Sequence, residues 1–363
     1  MSSSRRATIG DVARRAGVSK ATVSLAYSGK RPVSEATRQR IFEAAEDLEW
    51  TASESARALA MSRTATIGLV LARSPEVIST DPFFPRFIAG CESVLAEAGM
   101  GLLLSVVATE EDETAIYRRY ATGRVDGVIL LDVQTGDRRP ALMRELGLPA
   151  VLLAPSPAAA GLDDAGFDNV GDKSEDEVET TAFPVVLAEN APAIRDLVSL
   201  LVEAGHRRIA HVSGPLRYVH ATERRNAFEA AMLEHGLDPS LVVDGDFTAA
   251  SGRSRTLELL DREPRPTAIV YANDVMAIAG LSLARSRGLL IPEQLSLTGF
   301  DDSDLAAHLS PGLSSVSTRA DEVGATTART LLATLAGVAV PITRVDGPTV
   351  IARGSIGPPS DLD

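Results

Sequence analysis

The residues best placed to do chemistry lie near the N-terminus, in Thr8-Ile9-Gly10-Asp11-Val12-Ala13-Arg14-Arg15-Ala16-Gly17-Val18-Ser19-Lys20-Ala21-Thr22-Val23-Ser24. Lys20 can reach a guanine edge or a phosphate, Ala21 and Leu25 can touch a thymine methyl group, and Ser24 can hydrogen-bond to either. Thr8, Ser19 and Thr22 complete this candidate set for contact with duplex DNA. Nothing comparable points to catalysis: no G-x-S-x-G, H-E-x-x-H, G-x-x-x-x-G-K or C-x-x-C occurs, and no enzyme is expected. Gly99-x-Gly101 lacks the third glycine of a dinucleotide loop and precedes a strand, so no cofactor is expected either.

These residues need two short helices joined by a tight turn. Thr8 is expected to cap the first, with Asp11 reaching back from three residues on and Val12, Ala13 and Ala16 forming the apolar stripe. Gly17 supplies the turn, and Ser19 caps the second helix, whose Ala21, Thr22 and Val23 pack inward or along a groove wall. Ser34 caps a third helix with Ile41, Ala44, Ala45 and Leu48 at helical spacing, which gives the pair a core. Residues 1–50 thus read as an all-α helix-turn-helix DNA-binding domain.

Charge supports that division. Residues 1–41 hold nine Lys or Arg against two acids, a net +7, while the whole chain is −13. A basic head on an acidic body attracts phosphates at one end only. The chain has 363 residues, 45% of them hydrophobic, which is enough for two or three domains. The first 30 residues contain no apolar h-region, and no run approaches the ~18 apolar residues of a spanning helix, so a cytoplasmic protein without membrane contact is expected. Cys91, the only cysteine, sits in an apolar helical pattern and reads as a core residue. His206 and His211 are five apart with no third ligand nearby, and no metal is expected.

From Thr66 the pattern changes to short apolar strands alternating with amphipathic helices, the mark of parallel sheets. Strands are expected at 66–71, 101–107, 127–131, 150–154, 208–213, 268–271 and 295–300. Helices are expected at 85–98, 111–122, 138–146, 191–204, 221–235, 251–261 and 274–287. The units fall into two sets, before and after residue 183.

At this point the chain resembles the lactose-repressor (LacI/GalR) family of bacterial transcription regulators. The resemblance runs through Thr8–Ser24, Ala56-Arg57-Ala58-Leu59, Asp81-Pro82-Phe83-Phe84, Arg124–Leu130, Gly205–Ala210, Ala272-Asn273-Asp274, Gly299-Phe300-Asp301-Asp302 and Leu313–Val316. It implies an α/β periplasmic-binding-protein-like core of two doubly wound parallel-sheet subdomains, joined by three crossing strands, with a ligand in the cleft between them. The expected divisions are a hinge helix or linker at 51–63, a first subdomain of 64–183 with 318–342, and a second of 184–317 with 343–357. The hinge helix would lie in the minor groove, with Arg57 beside it and Leu59 as an apolar wedge.

Open parallel sheets place ligands beyond the carboxyl ends of their strands, where Asp132, Asn273, Asp274 and Asp301 fall. The resemblance adds Arg224 as the arginine that grips a sugar hydroxyl or an anionic group. Phe83 or Phe84 can stack on the apolar face of a ring, and the set suits a polyhydroxylated effector, a sugar or sugar derivative. Asp274 and Asp301 also precede helical segments, so helix capping is the alternative for both.

The chain departs from the family pattern in three places. Leu25 stands where an arginine is common, Trp50-Thr51-Ala52-Ser53 replaces an aromatic-x-Pro-Asn run, and residues 155–182 form an apparent acidic loop with eight acids against Lys173. With no heptad repeat near residue 355, a homodimer on a pseudo-palindromic operator is expected. A solute receptor without DNA contact is the alternative, and the basic head argues against it.

Overall fold

The computed structural model describes residues 7–28, 33–48, 50, 64–156, 184–340 and 342–360. Arg57, Leu59 and the linker at 51–63 lie outside the described residues, as does most of the acidic segment.

The head is built from α1 (Ile9–Ala16), α2 (Lys20–Ser28) and α3 (Glu35–Asp47). Asp11 Oδ2 accepts from the Thr8 N–H at 3.0 Å and from the Thr8 hydroxyl at 2.6 Å. The Thr8 hydroxyl donates to the acid, the Asp11 N–H also reaches the Thr8 carbonyl oxygen, and the two residues close the capping box that the sequence predicts. Gly17 closes α1 at φ 67°, a left-handed conformation open to glycine without a Cβ penalty. Ser19 Oγ accepts from the Thr22 N–H, and Ser34 Oγ from the Thr37 N–H, so both serines cap as the sequence predicts. Val12, Ala13, Ala16, Val23, Ala26, Ile41, Ala44 and Ala45 are buried together. The many alanines let three short helices approach closely. Tyr27 meets Phe42 and Trp50 edge to face at one side of this core.

The body opens with β1 (Thr66–Ala72), α4 (Pro75–Thr80), α5 (Phe83–Glu97), β2 (Gly101–Val107), α6 (Glu110–Tyr120), β3 (Gly127–Leu130), α7 (Arg139–Leu146), β4 (Ala150–Ala154) and β5 (Val185–Leu187). It continues with α8 (Ala191–Glu203), β6 (Ile209–Ser213), α9 (Val219–Glu234), β7 (Val242–Asp244), α10 (Ala249–Leu260), β8 (Ala268–Tyr271), α11 (Asp274–Ser286), β9 (Ser296–Thr298) and α12 (Asp304–His308). Then come β10 (Ser315–Ser317), α13 (Ala320–Leu335), β11 (Ile342–Arg344) and β12 (Thr349–Ile351).

Among the described residues the first sheet runs β11-β5-β4-β3-β1-β2 and the second β7-β6-β8-β9, both with every pair parallel. β10 and β12 pair antiparallel. The interior strand β1 is buried from Ile67 to Leu71, as a strand covered by helices on both faces must be. α5 and α13 pack with no room for a side chain between them. A Cβ on Gly90 would stand 1.9 Å from the Asp321 carbonyl oxygen, and one on Gly324 2.1 Å from that of Phe87.

Two expectations are corrected. The divide placed at 183/184 falls beyond Leu187, because β5 pairs with β4 and β11 with β5, which puts 185–187 and 342–344 in the first sheet. Three-residue strands are too short for periodicity to assign them to a side. The helix expected from Pro85 begins at Phe83, because Asp81 Oδ1 accepts from the Phe83 N–H at 3.0 Å. Pro85 then stands in the first turn, where its missing N–H costs nothing.

Candidate functional site

In both sheets the strand order reverses beside the first strand of the set, between β1 and β3 and between β6 and β8. The crevice at such a switch point is where open α/β sheets hold ligands. A cleft of about 820 Å³, its open mouth included, lies there and is lined from both subdomains. The walls touch at two rims. Arg86 on α5 donates to the Asp302 carbonyl oxygen at 3.0 Å and to Asp304 Oδ1 at 2.5 Å, while Val219 N–H donates to Val133 O at 2.9 Å and Thr135 N–H to Arg217 O at 3.3 Å.

The first wall is made at the ends of β1 and β3. Arg73 Nε and Nη2 donate to the two carboxylate oxygens of Asp132 at 2.7 and 2.8 Å. Its guanidinium also lies 3.6 Å from the ring centre of Tyr218, which comes from the second subdomain. Burial alone would raise the Asp132 acid, but the charge and hydrogen bonds of Arg73 outweigh it and hold the group down to about 2. Behind it, Arg139 on α7 ties the Leu131 and Asp132 carbonyl oxygens to Asp137 and Glu113. Asp132 has φ 55°, a strained conformation for a residue with a Cβ.

The second wall carries Arg224 on α9 and Asp301 after β9. The Arg224 guanidinium lies 3.6 Å from the centre of the Phe300 ring and donates through Nη1 to the Ala272 carbonyl oxygen at 2.8 Å. Its Nε is buried without a hydrogen-bond partner among the described residues. Asp301 is 4% exposed at φ 102°, and its N–H is held by Val316 O at 2.8 Å. Burial, then repulsion from Asp81, raises its acid well above the ordinary carboxylate range. Asp81 is also raised, by burial, against the Phe83 N–H bond and the charges of Arg73 and Arg224.

Asp132, Phe247 at φ 71° and Asp301 are all strained and all line the cleft. Strain concentrated at one crevice marks a place where the fold holds residues for a purpose other than stability. His220 also lines it, stacked between Tyr218 and Phe247 at 5.6 and 5.8 Å. Burial, reinforced by Arg224, pushes its imidazole down to about 3 and keeps it neutral.

Of the residues the sequence singles out, Phe83, Phe84, Asp132, Arg224 and Asp301 line the cleft. Asn273 and Asp274 do not. Asn273 caps α11 by accepting from the Met276 N–H, and its amide donates to the Phe247 carbonyl oxygen, so it holds a lining loop from behind. Asp274 is fully buried and accepts from the Ser315 hydroxyl and the Ser303 N–H, both at 2.6 Å. Neither Asp274 nor Asp301 is a cap: Asn273 caps α11 and Ser303 caps α12. Sequence reading missed Arg73, Asp81, Asn190, His220, Phe247 and Thr318 as lining residues. Arg73 follows β1 directly, so the strand-end rule that found Asp132 could have found it too.

His206 is buried against Thr267, Ser296 and the Gly357 carbonyl oxygen, and His211 stacks on Phe228. Among the described residues no His, Cys, Asp or Glu group is arranged to hold a metal ion. Cys91 is buried, its thiol pushed up to about 12. No helix among the described residues is long and apolar enough to cross a membrane.

On the head, Lys20 and Ala21 are exposed at the start of α2, Thr22, Ser24 and Leu25 are half-buried, and Val23 is buried. Ala21, expected inward or along a groove wall, thus faces outward, because Val23 and Ala26 already fill the inner side. The Lys20 chain crosses Gly10 so closely that a Cβ there would stand 3.0 Å from its Cε. Arg14 is exposed and paired with Asp11 at 3.2 Å.

Residues 8–53 match the sequence family described as bacterial regulatory proteins, lacI family, and residues 198–356 match the periplasmic binding protein-like domain. The HTH-type transcriptional regulator CelR of Thermobifida fusca is 32% identical over 340 residues, covering 92% of this chain and 93% of that protein. The HTH-type transcriptional repressor PurR of Aliivibrio salmonicida is 32% identical over 330 residues, covering 90% and 91%. The solved CelR–cellobiose complex is similar in fold with a TM-score of 0.69 at 31% identity, over 96% of this chain and 100% of that one. A lac repressor dimer bound to operator and an anti-inducer gives a TM-score of 0.78 at 24% identity, over 97% and 99%, a likeness of fold.

Proposed function

The chain belongs to the lacI family of bacterial regulatory proteins, and from that premise we propose that it is an effector-responsive repressor that binds a pseudo-palindromic operator as a homodimer and takes a sugar or sugar-like ligand in its cleft. What carries this reading is a strained cleft between two subdomains, largely apolar but holding Arg224 and Asp301, on the same chain as a basic head with Lys20 exposed.

In this reading Phe83 and Phe84 meet the apolar face of a sugar ring, and Arg224 and Asp301 take its hydroxyls. Asp132 acts through Arg73, holding that guanidinium against Tyr218. Asn273 and Asp274 shape the second wall from behind. Thr8, Ser19, Lys20, Ala21, Thr22, Ser24 and Leu25 face the major groove or its phosphates, and Arg57 and Leu59 work from the linker at the minor groove. Residues 1–50 read the operator, 51–63 connect, and the body senses.

An effector that favours the closed cleft shifts the paired first subdomains and with them the linkers. Its influence on operator affinity is bounded by its preference for one arrangement, typically ~1–3 kcal/mol of coupling. Band-shift titrations against the gene's own upstream DNA test this. Binding falls steeply with salt, and Lys20→Ala weakens it with a salt slope smaller by about one. Leu59→Ala costs more operator affinity than non-specific affinity. Equal affinity of the native protein for upstream and unrelated duplex would overturn the reading.

A further inference from the structure

We propose that Arg73 is an internal latch: its guanidinium, held by Asp132 on the first wall, seizes the ring of Tyr218 from the second, joins the two subdomains before any ligand arrives, and sets how much closing is left for an effector to do. That last consequence rests on the reading of the cleft as the effector site; the joint itself does not.

Arg73 stands directly after β1 and Tyr218 directly before α9, so the contact crosses from one subdomain to the other. Both side chains are buried, Tyr218 at 1% exposure. The two bonds to Asp132, at 2.7 and 2.8 Å, fix the guanidinium plane, and Arg139 fixes Asp132 in turn through its carbonyl oxygen. The cation then lies 3.6 Å from the Tyr218 ring centre and 5.2 Å from that of Phe247, which also belongs to the second subdomain. His220, stacked on both rings, is neutral and adds no repulsion. A desolvated cation over an aromatic ring biases an equilibrium by roughly 10- to 30-fold.

The backbone closes the same joint. Gln134, after β3, and Tyr218 pair as an antiparallel bridge, with the Val219 N–H on Val133 O and the Thr135 N–H on Arg217 O. Val219 heads α9, where an N–H has no partner within its own helix, and the first wall supplies one. At the other rim Arg86 reaches an exposed carboxylate, Asp304, a contact of small worth. Holding power is therefore concentrated at Arg73. A cleft already biased toward closure leaves a ligand less ordering to supply, so weakening the latch weakens ligand binding. Tyr218 does not line the cleft, and it acts on a ligand only through this joint.

Amide hydrogen exchange on the full chain without ligand tests the latch. The Val219 and Thr135 N–H groups are protected in the native protein, and Tyr218→Leu speeds both by roughly 10- to 30-fold while amides of α8 and β6 keep their rates. Tyr218→Phe, which keeps the ring, exchanges as the native protein does. Arg73→Ala exchanges fast and regains its protection in millimolar ethylguanidinium but not in ethylurea, because the vacated place between Asp132 and Tyr218 fits a guanidinium. Native amides that are unprotected at Val219 and Thr135, or unmoved by Tyr218→Leu, would overturn the latch, as would an equal effect of ethylurea. Should Tyr218→Leu loosen α8 and β6 as well, the rescue of Arg73→Ala decides. Ligand-induced stabilisation by cellobiose, glucose and ribose separates the latch from the effector reading. Any of the three that binds the native protein binds Tyr218→Leu roughly tenfold more weakly, and equal affinity overturns the regulatory role. If none binds while the exchange result holds, the sugar-effector reading loses its support and the latch stands.

Discussion

At the ends of β1 and β3, Arg73 and Asp132 grip each other through two hydrogen bonds, whereas across the cleft, among the described residues, Arg224 leaves its Nε without a hydrogen-bond partner and no side chain donates to the Asp301 carboxylate. Both walls obey the same fold rule, which puts polar residues where parallel strands end. They differ in whether the charges complete one another before any ligand arrives. A mutually satisfied pair fixes the shape of its wall. A pair with open hydrogen-bonding capacity costs stability and is kept for recognition.

The sharpest way to break this contrast is Asp132→Ala. It leaves the Arg73 guanidinium, 6% exposed, without its counter-charge. Removing one partner of a buried pair costs roughly 3–5 kcal/mol, and urea unfolding is expected to show a loss of that order. The double replacement Arg73→Met with Asp132→Leu is expected to lose less than Asp132→Ala alone. A loss below about 1 kcal/mol for the single variant would mean that the first wall is no more self-supporting than the second.

Next in size is a pH effect that runs in opposite directions for two acids. The Asp132 acid is held at about 2, so its contribution is present above the ordinary carboxylate range and is lost as pH falls through about 2. The Asp274 acid is pushed up to about 6 by burial, against the hydrogen bonds from Ser315 and Ser303. Its sign is reversed: stability is full below pH ~4 and is lost as pH rises through about 6, a change of about 3 kcal/mol. Unfolding free energies measured from pH 4 to 7 should show a shallower slope in Asp274→Asn than in the native protein, the raised Asp81 and Asp301 acids supplying the remainder. Parallel profiles would remove Asp274 as its source.

Much of this was legible in the residues, and the gaps have physical causes. Ser19 and Ser34 announce their helices because a hydroxyl before an apolar stripe has one obvious use. The long strands β1 and β2 stand out as apolar runs, while β5, β7, β9 and β11, three residues each, carry no period. Strand-end reasoning found Asp132 and Asp301 but overreached at Asn273 and Asp274. There, capping and a tie to Ser315 consume the same polar atoms a ligand would use. In Asp81-Pro82-Phe83-Phe84 the adjacent rings offer the plainer reading, ring stacking, and a single carboxylate before them gives no local sign that it faces a cleft. Phe247 follows β7, a three-residue strand without a period, and His220 reaches the cleft from the first turn of α9, and local pattern announces neither.

On the receptive wall, Arg224→Gln tests recognition directly. Among the described residues its guanidinium makes one hydrogen bond, through Nη1, so the variant is expected to fold with a loss below that of Asp132→Ala. Effector affinity is expected to fall by roughly 10- to 100-fold, equivalent to about 1.4–2.7 kcal/mol. Calorimetric titration with the ligand identified by stabilisation screening would check it. An unchanged affinity would place Arg224 with the scaffold, beside Arg73.

The smallest expected effect belongs to the contact that joins the two walls. Arg86 does not line the cleft, but it crosses from α5 to the Asp302 carbonyl oxygen and to Asp304. The Asp304 side chain is 92% exposed, so its half of the contact is worth only about 0.2–1 kcal/mol, while the half to the Asp302 carbonyl is better shielded. Loss of Arg86 therefore destabilises the closed arrangement slightly. A ligand that requires closure must then supply that difference, and its affinity falls about two- to fivefold without any change in what it touches. Arg86→Ala should show this fall, Asp304→Ala a smaller one, and the double variant no more than Arg86→Ala, since both act through one contact. Additive losses would separate the two residues, and an unchanged affinity in Arg86→Ala would show that the walls close without this strap.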